Sequence, residues 1–193
     1  MNPPAPSRPP HRNGFTLIEA LVVLSLIGIL LGLAAPSVMH HLRNARLRAV
    51  CGALTASLNA ARSEAMKRQR PTLVMPRGDN WSTGWDAFVD QDGDLTLSPG
   101  DTLLGAAPDT PSRLDITITP RLPRGINFIM FGGSGFPRTP SGAFLAATLT
   151  LRTGSPPDDT RRSLILANTG RLRVCDPAKV SEDCADATST PRQ

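Results

Sequence analysis

The chain has little from which to build a catalytic or metal centre. Its three histidines, His11, His40 and His41, all lie within the first 41 of 193 residues. No Ser/His/Asp, Cys/His or histidine-based metal arrangement can therefore form with the rest of the chain, and neither an enzymatic activity nor a cofactor is expected. Tyr is absent, and no Phe or Trp stands near residues 163–175 in the sequence, so sequence proximity offers that segment no stacking partner. Cysteine is scarce as well: Cys51, Cys175 and Cys184 are the only three. Lysine is limited to Lys67 and Lys179, so the cationic character is carried by arginine, whose guanidinium suits bidentate contacts to phosphate or carboxylate. No internal repeat is evident.

What the chain does have is one long apolar run. From Phe15 to Ala35 the only ionisable side chain is Glu19. As an α-helix those 21 residues would be about 30 Å long, which predicts a membrane-spanning segment. A carboxylate one turn into such a segment costs about 3 kcal/mol or more without a partner, and demands a functional reason. Arg8 and Arg12 precede the run and orient the N-terminus towards the cytoplasm. An ordinary secretory signal fits less well, because the run is longer than such signals carry and Leu33-Ala34-Ala35 is a poor cleavage site.

Beyond Pro36, expected to kink the helix, Leu47, Val50, Cys51, Leu54, Leu58, Ala61 and Ala65 recur at spacings of three and four. That is the pattern of an amphipathic helix, continuing to about Arg68. Cys51 lies on its apolar side and reads as a buried free thiol. After Pro71 come short strand-like runs divided by Gly, Pro and Asp: Thr72–Met75, Trp85–Val89, Leu114–Thr119, Ile126–Met130, Phe144–Leu151, Ser163–Ala167 and Arg171–Cys175. The segments 132–142 and 152–161 read as surface loops. The predicted class is α+β, a long N-terminal helix with a transmembrane half and an amphipathic half, packed on an antiparallel β-sheet.

The segment Gly14-Phe15-Thr16-Leu17-Ile18-Glu19, between a short basic leader and the apolar run, resembles the class III signal of type IV prepilins. The resemblance implies a pilin-like fold, cleavage between Gly14 and Phe15 by a prepilin peptidase, and N-methylation of Phe15. It also implies that Glu19 pairs with the Phe15 amine of a neighbouring subunit during filament assembly. The corresponding organisation is a leader over 1–14, a transmembrane half-helix over 15–35, an amphipathic half over 36–70 and a β-rich periplasmic or extracellular domain over 71–193. Removing the leader takes Arg8 and Arg12 away from the 21 basic side chains, leaving 19 against 16 acidic ones. The subunit would sit in the bacterial inner membrane as a single-pass protein before entering a pilus or pseudopilus. Cys175 and Cys184 would then lie in an oxidising compartment, close enough in sequence to form a disulfide.

Three further segments narrow the family. Ala61-Arg62-Ser63-Glu64-Ala65-Met66-Lys67-Arg68, Trp81-x-x-Gly84-Trp85-x-x-Phe88-Val89-Asp90 and Thr169-Gly170-Arg171-Leu172-Arg173 together resemble the GspH/FimT family of minor pilins and pseudopilins. FimT-like members are linked to DNA uptake in natural transformation through a Gly-Arg-x-Arg motif in a C-terminal hairpin, here Gly170-Arg171-Leu172-Arg173. The residues themselves agree with such a hairpin. Asn168-Thr169-Gly170 is a turn signal, and alternation puts Arg171 and Arg173 on one face, roughly 6.8 Å apart. With Arg161 and Arg162 on the neighbouring strand and Arg152 before the loop, a cationic patch for phosphate is expected, gripping DNA without reading sequence.

The acidic tail residues Asp176, Glu182, Asp183 and Asp186 would weaken that patch if folded back on it. Asp90, Asp92, Asp94 and Asp101 resemble part of a calcium-binding EF-hand loop, but Leu95 stands where Gly is needed and Asp101 where Glu is usual, so a plain loop is expected. The functional expectation is a minor pilin of a type IV pilus, with other pilins, the prepilin peptidase, the inner membrane and DNA as partners. The alternative is a structural pseudopilin of a type II secretion system.

Overall fold

The computed structural model describes residues 16–107, 111–154, 160–176 and 184, without the side chains of 30–38 and 40. One helix, α1, runs from Leu17 to Arg68 over 52 residues. Among the described residues nine strands follow: β1 Thr72–Pro76, β2 Trp85–Val89, β3 Thr102–Ala106, β4 Ile116–Arg121, β5 Ile129–Phe131, β6 Pro137–Arg138, β7 Ala147–Thr153, β8 Thr160–Leu166 and β9 Leu172–Cys175. The chain divides into two compact units, Met1–His41 and Leu42–Gln193.

In the first unit α1 starts at a capping motif. The Oγ1 of Thr16 accepts a hydrogen bond from the Glu19 backbone N–H at 3.3 Å, and the Thr16 carbonyl accepts from the N–H of Ala20. Thr16-Leu17-Ile18-Glu19 is thus a capping-box sequence, with a hydroxyl satisfying an otherwise orphaned donor and an acid at the positive end of the helix dipole. Leu17, Ile18, Leu21, Leu24 and Ile27 are all exposed, Leu17 by 79%.

The expectation of a transmembrane half, and of single-pass inner-membrane localisation, is corrected here. Among the described residues no helix is long and apolar enough to cross a membrane. From His41 onward the helix carries Arg43, Asn44, Arg46 and Arg48. The desolvation argument for Glu19 falls with that expectation, and its place in the first helical turn stands.

In the second unit the rest of α1 buries Leu47, Val50, Cys51, Leu54, Leu58, Ala61 and Ala65, all seven positions of the apolar stripe. They join Val74, Trp81, Trp85, Ile116, Ile118, Ile129, Phe131, Leu149, Leu151, Leu164 and Leu166 in the main core. The α+β class holds, with two antiparallel sheets behind the helix: a five-stranded one in the order β3-β2-β1-β5-β6 and a four-stranded one in the order β4-β7-β8-β9. Burying the indoles requires partners for their N–H groups. Trp85 donates to Ser57 Oγ at 2.9 Å and Trp81 to Asn127 Oδ1 at 3.1 Å. Phe88 faces the other way, into a smaller cluster with Leu73 and Met130. The helix ends where Gln69 takes a positive φ of 52° and its side-chain amide donates to the carbonyls of Met66 and Gly133.

Strand boundaries differ from the sequence reading in places. Leu114 ends a 3-10 turn begun at Pro111 instead of starting a strand, and the bridge at Phe144 is separated from β7. The segment 132–142 contains β6, and β7 and β8 extend into 152–161. β3 was not foreseen, because Thr102-Leu103-Leu104-Gly105-Ala106 has neither alternation nor β-branched content beyond Thr102.

Candidate functional site

The arginine hairpin forms as the turn signal requires. β8 pairs with β9 through Ser163↔Cys175, Leu164↔Val174, Ile165↔Arg173 and Leu166↔Leu172. The turn is closed by Ala167 N–H donating to Arg171 O at 2.9 Å and Gly170 N–H donating to Ala167 O at 2.8 Å. Gly170 takes φ +80°, and a Cβ there would lie 2.9 Å from Gly135 O, so glycine is needed both for the conformation and for the approach.

Period-2 alternation then sorts the arginines by face. Leu164 and Leu166 point into the main core and Leu172 packs against it. Ile165 and its partner Arg173 therefore lie on the opposite, outer face. Arg161 is four residues before Ile165 on the same strand and pairs with Arg152 of β7, whose neighbours Leu149 and Leu151 are core residues. Arg121, opposite Thr148, falls on the same outer face. Arg171 and Arg173 line one shallow pocket of about 260 Å³ with Ala146, Ile165, Ala167 and Asn168.

Arg162 does not join this group. It sits on the helix-facing side with Leu164, and its charge reaches the Cys51 thiol. There it pairs with Asp176 at 2.8 Å and donates to Arg161 O at 2.7 Å. The expected patch of Arg161 and Arg162 together is thus divided between two faces, as adjacent strand residues must be. The acidic tail engages an arginine through Asp176, which pairs with Arg162. Glu182, Asp183 and Asp186 lie outside the described residues.

Sequence reasoning missed two neighbours of the hairpin. Arg62 of α1 donates from Nε to Gly135 O and from Nη1 to Gly170 O, each at 2.9 Å. Its signal was present in the Ala61–Arg68 motif, but its targets are main-chain oxygens and leave no trace in the sequence. An aromatic pair, Phe136 and Phe144, stands 5.8 Å apart edge to face, with the Arg138 guanidinium 4.0 Å above the Phe144 ring. The expectation that the hairpin lacks nearby aromatics is therefore corrected. The turn 132–135 brings Phe136 next to Gly135, which abuts Gly170.

In the acidic loop, ligand-capable oxygens of Asp90, Asp92 and Asp94 come within 4.8 Å of one another. Asp90 is buried and accepts from the N–H groups of Gly93 and Leu95. Asp101 is directed elsewhere, accepting from Gln91 N–H and Ser98 N–H at 2.8 Å each. Those backbone donors hold its carboxyl below the ordinary aspartate range. The loop is organised by its own amides, and we assign no metal to it. Cys175 and Cys184 form a disulfide with Cα atoms 5.6 Å apart. Cys51 is buried and free, and desolvation raises its pKa. Gly14 and Phe15 lie outside the described residues.

The chain matches the family described as Type II transport protein GspH over residues 51–170, and the Prokaryotic N-terminal methylation motif over residues 9–35. The first match spans more than half of the chain. The protein belongs to the GspH family. It is also 30% identical over 169 residues to the pilin-like protein PilA1 of Thermus thermophilus, covering 84% of this chain and 98% of that protein. The type IV minor pilin FimU of Pseudomonas aeruginosa shares the fold, with a TM-score of 0.51 at 18% identity over 74% of this chain and 97% of that one. The minor pseudopilin EpsH of the Vibrio cholerae Type 2 Secretion System is more distant, with a TM-score of 0.47 at 13% identity over 69% of this chain and 99% of that one. As a GspH-family chain the protein has a general minor pilin or pseudopilin role in filament assembly, alongside other subunits of its kind. That role is structural, and the protein is not an enzyme.

Proposed function

We propose that this GspH-family protein is a minor pilin of a type IV pilus whose outer-face arginines bind DNA without reading its sequence, serving DNA uptake in natural transformation. In this reading a prepilin peptidase cuts between Gly14 and Phe15, Phe15 is N-methylated, and Glu19 pairs with the Phe15 amine of a neighbouring subunit. The methylation-motif match over 9–35 supports the processing. The exposed apolar side chains on successive turns of α1 from Leu17 to Ile29 support burial of that segment against other subunits.

The observation that carries the DNA reading is the shared pocket of Arg171 and Arg173, on the same sheet face as Arg152 and Arg161. Guanidinium groups spread over neighbouring strands can contact successive phosphates, a sequence-independent and salt-sensitive interaction. The test is a mobility shift of the full chain with duplexes of unrelated sequence at rising salt. All duplexes should shift alike, with affinity falling steeply as salt increases. Replacing Arg171 and Arg173 together by Gln should abolish the shift while thermal unfolding stays unchanged. Full retention of binding in that variant would sink the proposal.

The family description itself favours a second reading, a structural pseudopilin of a type II secretion system. It is distinguished by phenotype: deleting the gene would then stop protein secretion and leave transformation intact.

A further inference from the structure

We infer that the arginine pocket and the adjoining Phe144–Arg138 stack form one site for unpaired DNA, with arginines on the backbone and Phe144 stacking on a base. This inference rests on the reading that the outer arginine face binds DNA. Phe144 is 57% exposed and, with Phe136 against its edge, forms an aromatic pair at the surface. It is also held in place. Arg138 lies over the ring at 4.0 Å, its Nη1 donates to Gly142 O at 2.9 Å, the two residues form a β-bridge, and Phe136 meets the ring edge to face. An aromatic fixed in this way loses little further entropy on binding.

Its position connects it with the arginines. Leu145 is fully buried in the core, and Phe144 and Ala146 flank it in sequence. Two trans peptides keep their Cα atoms within about 7 Å of each other. Ala146 lines the same pocket as Arg171 and Arg173. From the opposite direction, Gly135 packs on Gly170 of the hairpin turn and is followed directly by Phe136. A cationic groove beside exposed aromatics is the arrangement that binds single strands, because phosphates and base faces are both within reach. In a duplex the base faces are already stacked, and reaching one requires extruding it at a cost of a few kcal/mol. The aromatic part of this site should therefore select single-stranded over duplex DNA, while the arginines serve both.

The experiment compares fluorescence anisotropy of the full chain with a mixed-sequence single-stranded 20-mer and with the same sequence as a duplex. The proteins are the wild type, Phe144→Leu, Phe144→Tyr, and Arg171→Gln with Arg173→Gln. Phe144→Leu should weaken single-strand binding about 5- to 150-fold and change duplex binding by less than about twofold. Phe144→Tyr, which keeps a stacking face, should bind both probes like wild type. Unchanged single-strand affinity in Phe144→Leu, or an equal loss on both probes, overturns the stacking site while the arginine reading stands on its own double variant. If the wild type binds neither probe, the arginine reading fails, and the stacking site with it.

Discussion

The guanidinium of Arg62 holds the main-chain oxygen of Gly170 at 2.9 Å, joining the helix to the arginine hairpin across 108 residues of sequence. Its Nε holds Gly135 O at the same distance, so one side chain fastens both turns. Gly135 and Gly170 are buried, and truncating Arg62 leaves two carbonyls without their donors. Arg62→Ala should therefore destabilise the domain by about 1–3 kcal/mol, seen as a lower urea midpoint at unchanged m-value. Arg62→Lys should recover only part of this, because an ammonium lacks the fork that serves two acceptors at once. An unshifted midpoint in Arg62→Ala would show that the clamp contributes nothing.

Gly170→Ala and Gly142→Ala separate backbone strain from crowding. Both glycines have positive φ, +80° and +85°, but a Cβ at Gly142 meets nothing within 4 Å, whereas at Gly170 it meets Gly135 O at 2.9 Å and Arg62 Cζ at 3.0 Å. Gly142→Ala should cost about 1–2 kcal/mol from conformation alone. Gly170→Ala should cost clearly more and loosen the hairpin, measurable as faster amide exchange at Ala167. Equal costs would mean that the turn yields freely.

Where local periodicity decides structure, the sequence was legible. All seven apolar positions from Leu47 to Ala65 entered the core, β2 was read at Trp85–Val89, and alternation put Arg171 and Arg173 on one side. Non-local matters were not legible. The split into two sheets depends on pairings such as β1 with β5, for which no local signal exists. The aromatic pair is brought to the hairpin by the contact of Gly135 with Gly170, which has no local signal. The division of Arg161 from Arg162, by contrast, followed from the two-residue period alone and should have been read.

Asp101 gives a pH dependence of known sign. Its pKa is lowered, chiefly by the backbone N–H groups of Gln91 and Ser98, so those bonds contribute stability at and above the ordinary aspartate pKa. They are lost as pH falls through the depressed folded value. The amide proton shifts of Gln91 and Ser98 should accordingly titrate together, with a midpoint below about 3.9. Asp101→Asn should remove that transition. A midpoint at or above the ordinary value would contradict the role assigned to these donors.

Cys51 should be chemically silent in the folded protein. Burial raises its pKa and denies access to reagents, while Cys175 and Cys184 are tied to each other. A thiol reagent should label no cysteine in the native state and one in urea without reductant. Rapid native labelling would place Cys51 in a far more open helix than the one described.

The sharpest test of the arginine face uses two adjacent residues. Arg161 lies on the outer face with Arg152 and Arg173, whereas Arg162 lies on the helix side in an ion pair with Asp176. If DNA occupies the outer face, Arg161→Gln should weaken binding several-fold and flatten the salt dependence by about one phosphate contact. Arg162→Gln should leave affinity and salt slope unchanged and act on stability instead, since it removes the partly buried ion pair with Asp176. Both variants have the same net charge, so a purely long-range electrostatic attraction would respond equally to each. Equal loss would assign the binding to overall charge, and loss in Arg162→Gln alone would move the site to the other side of the sheet.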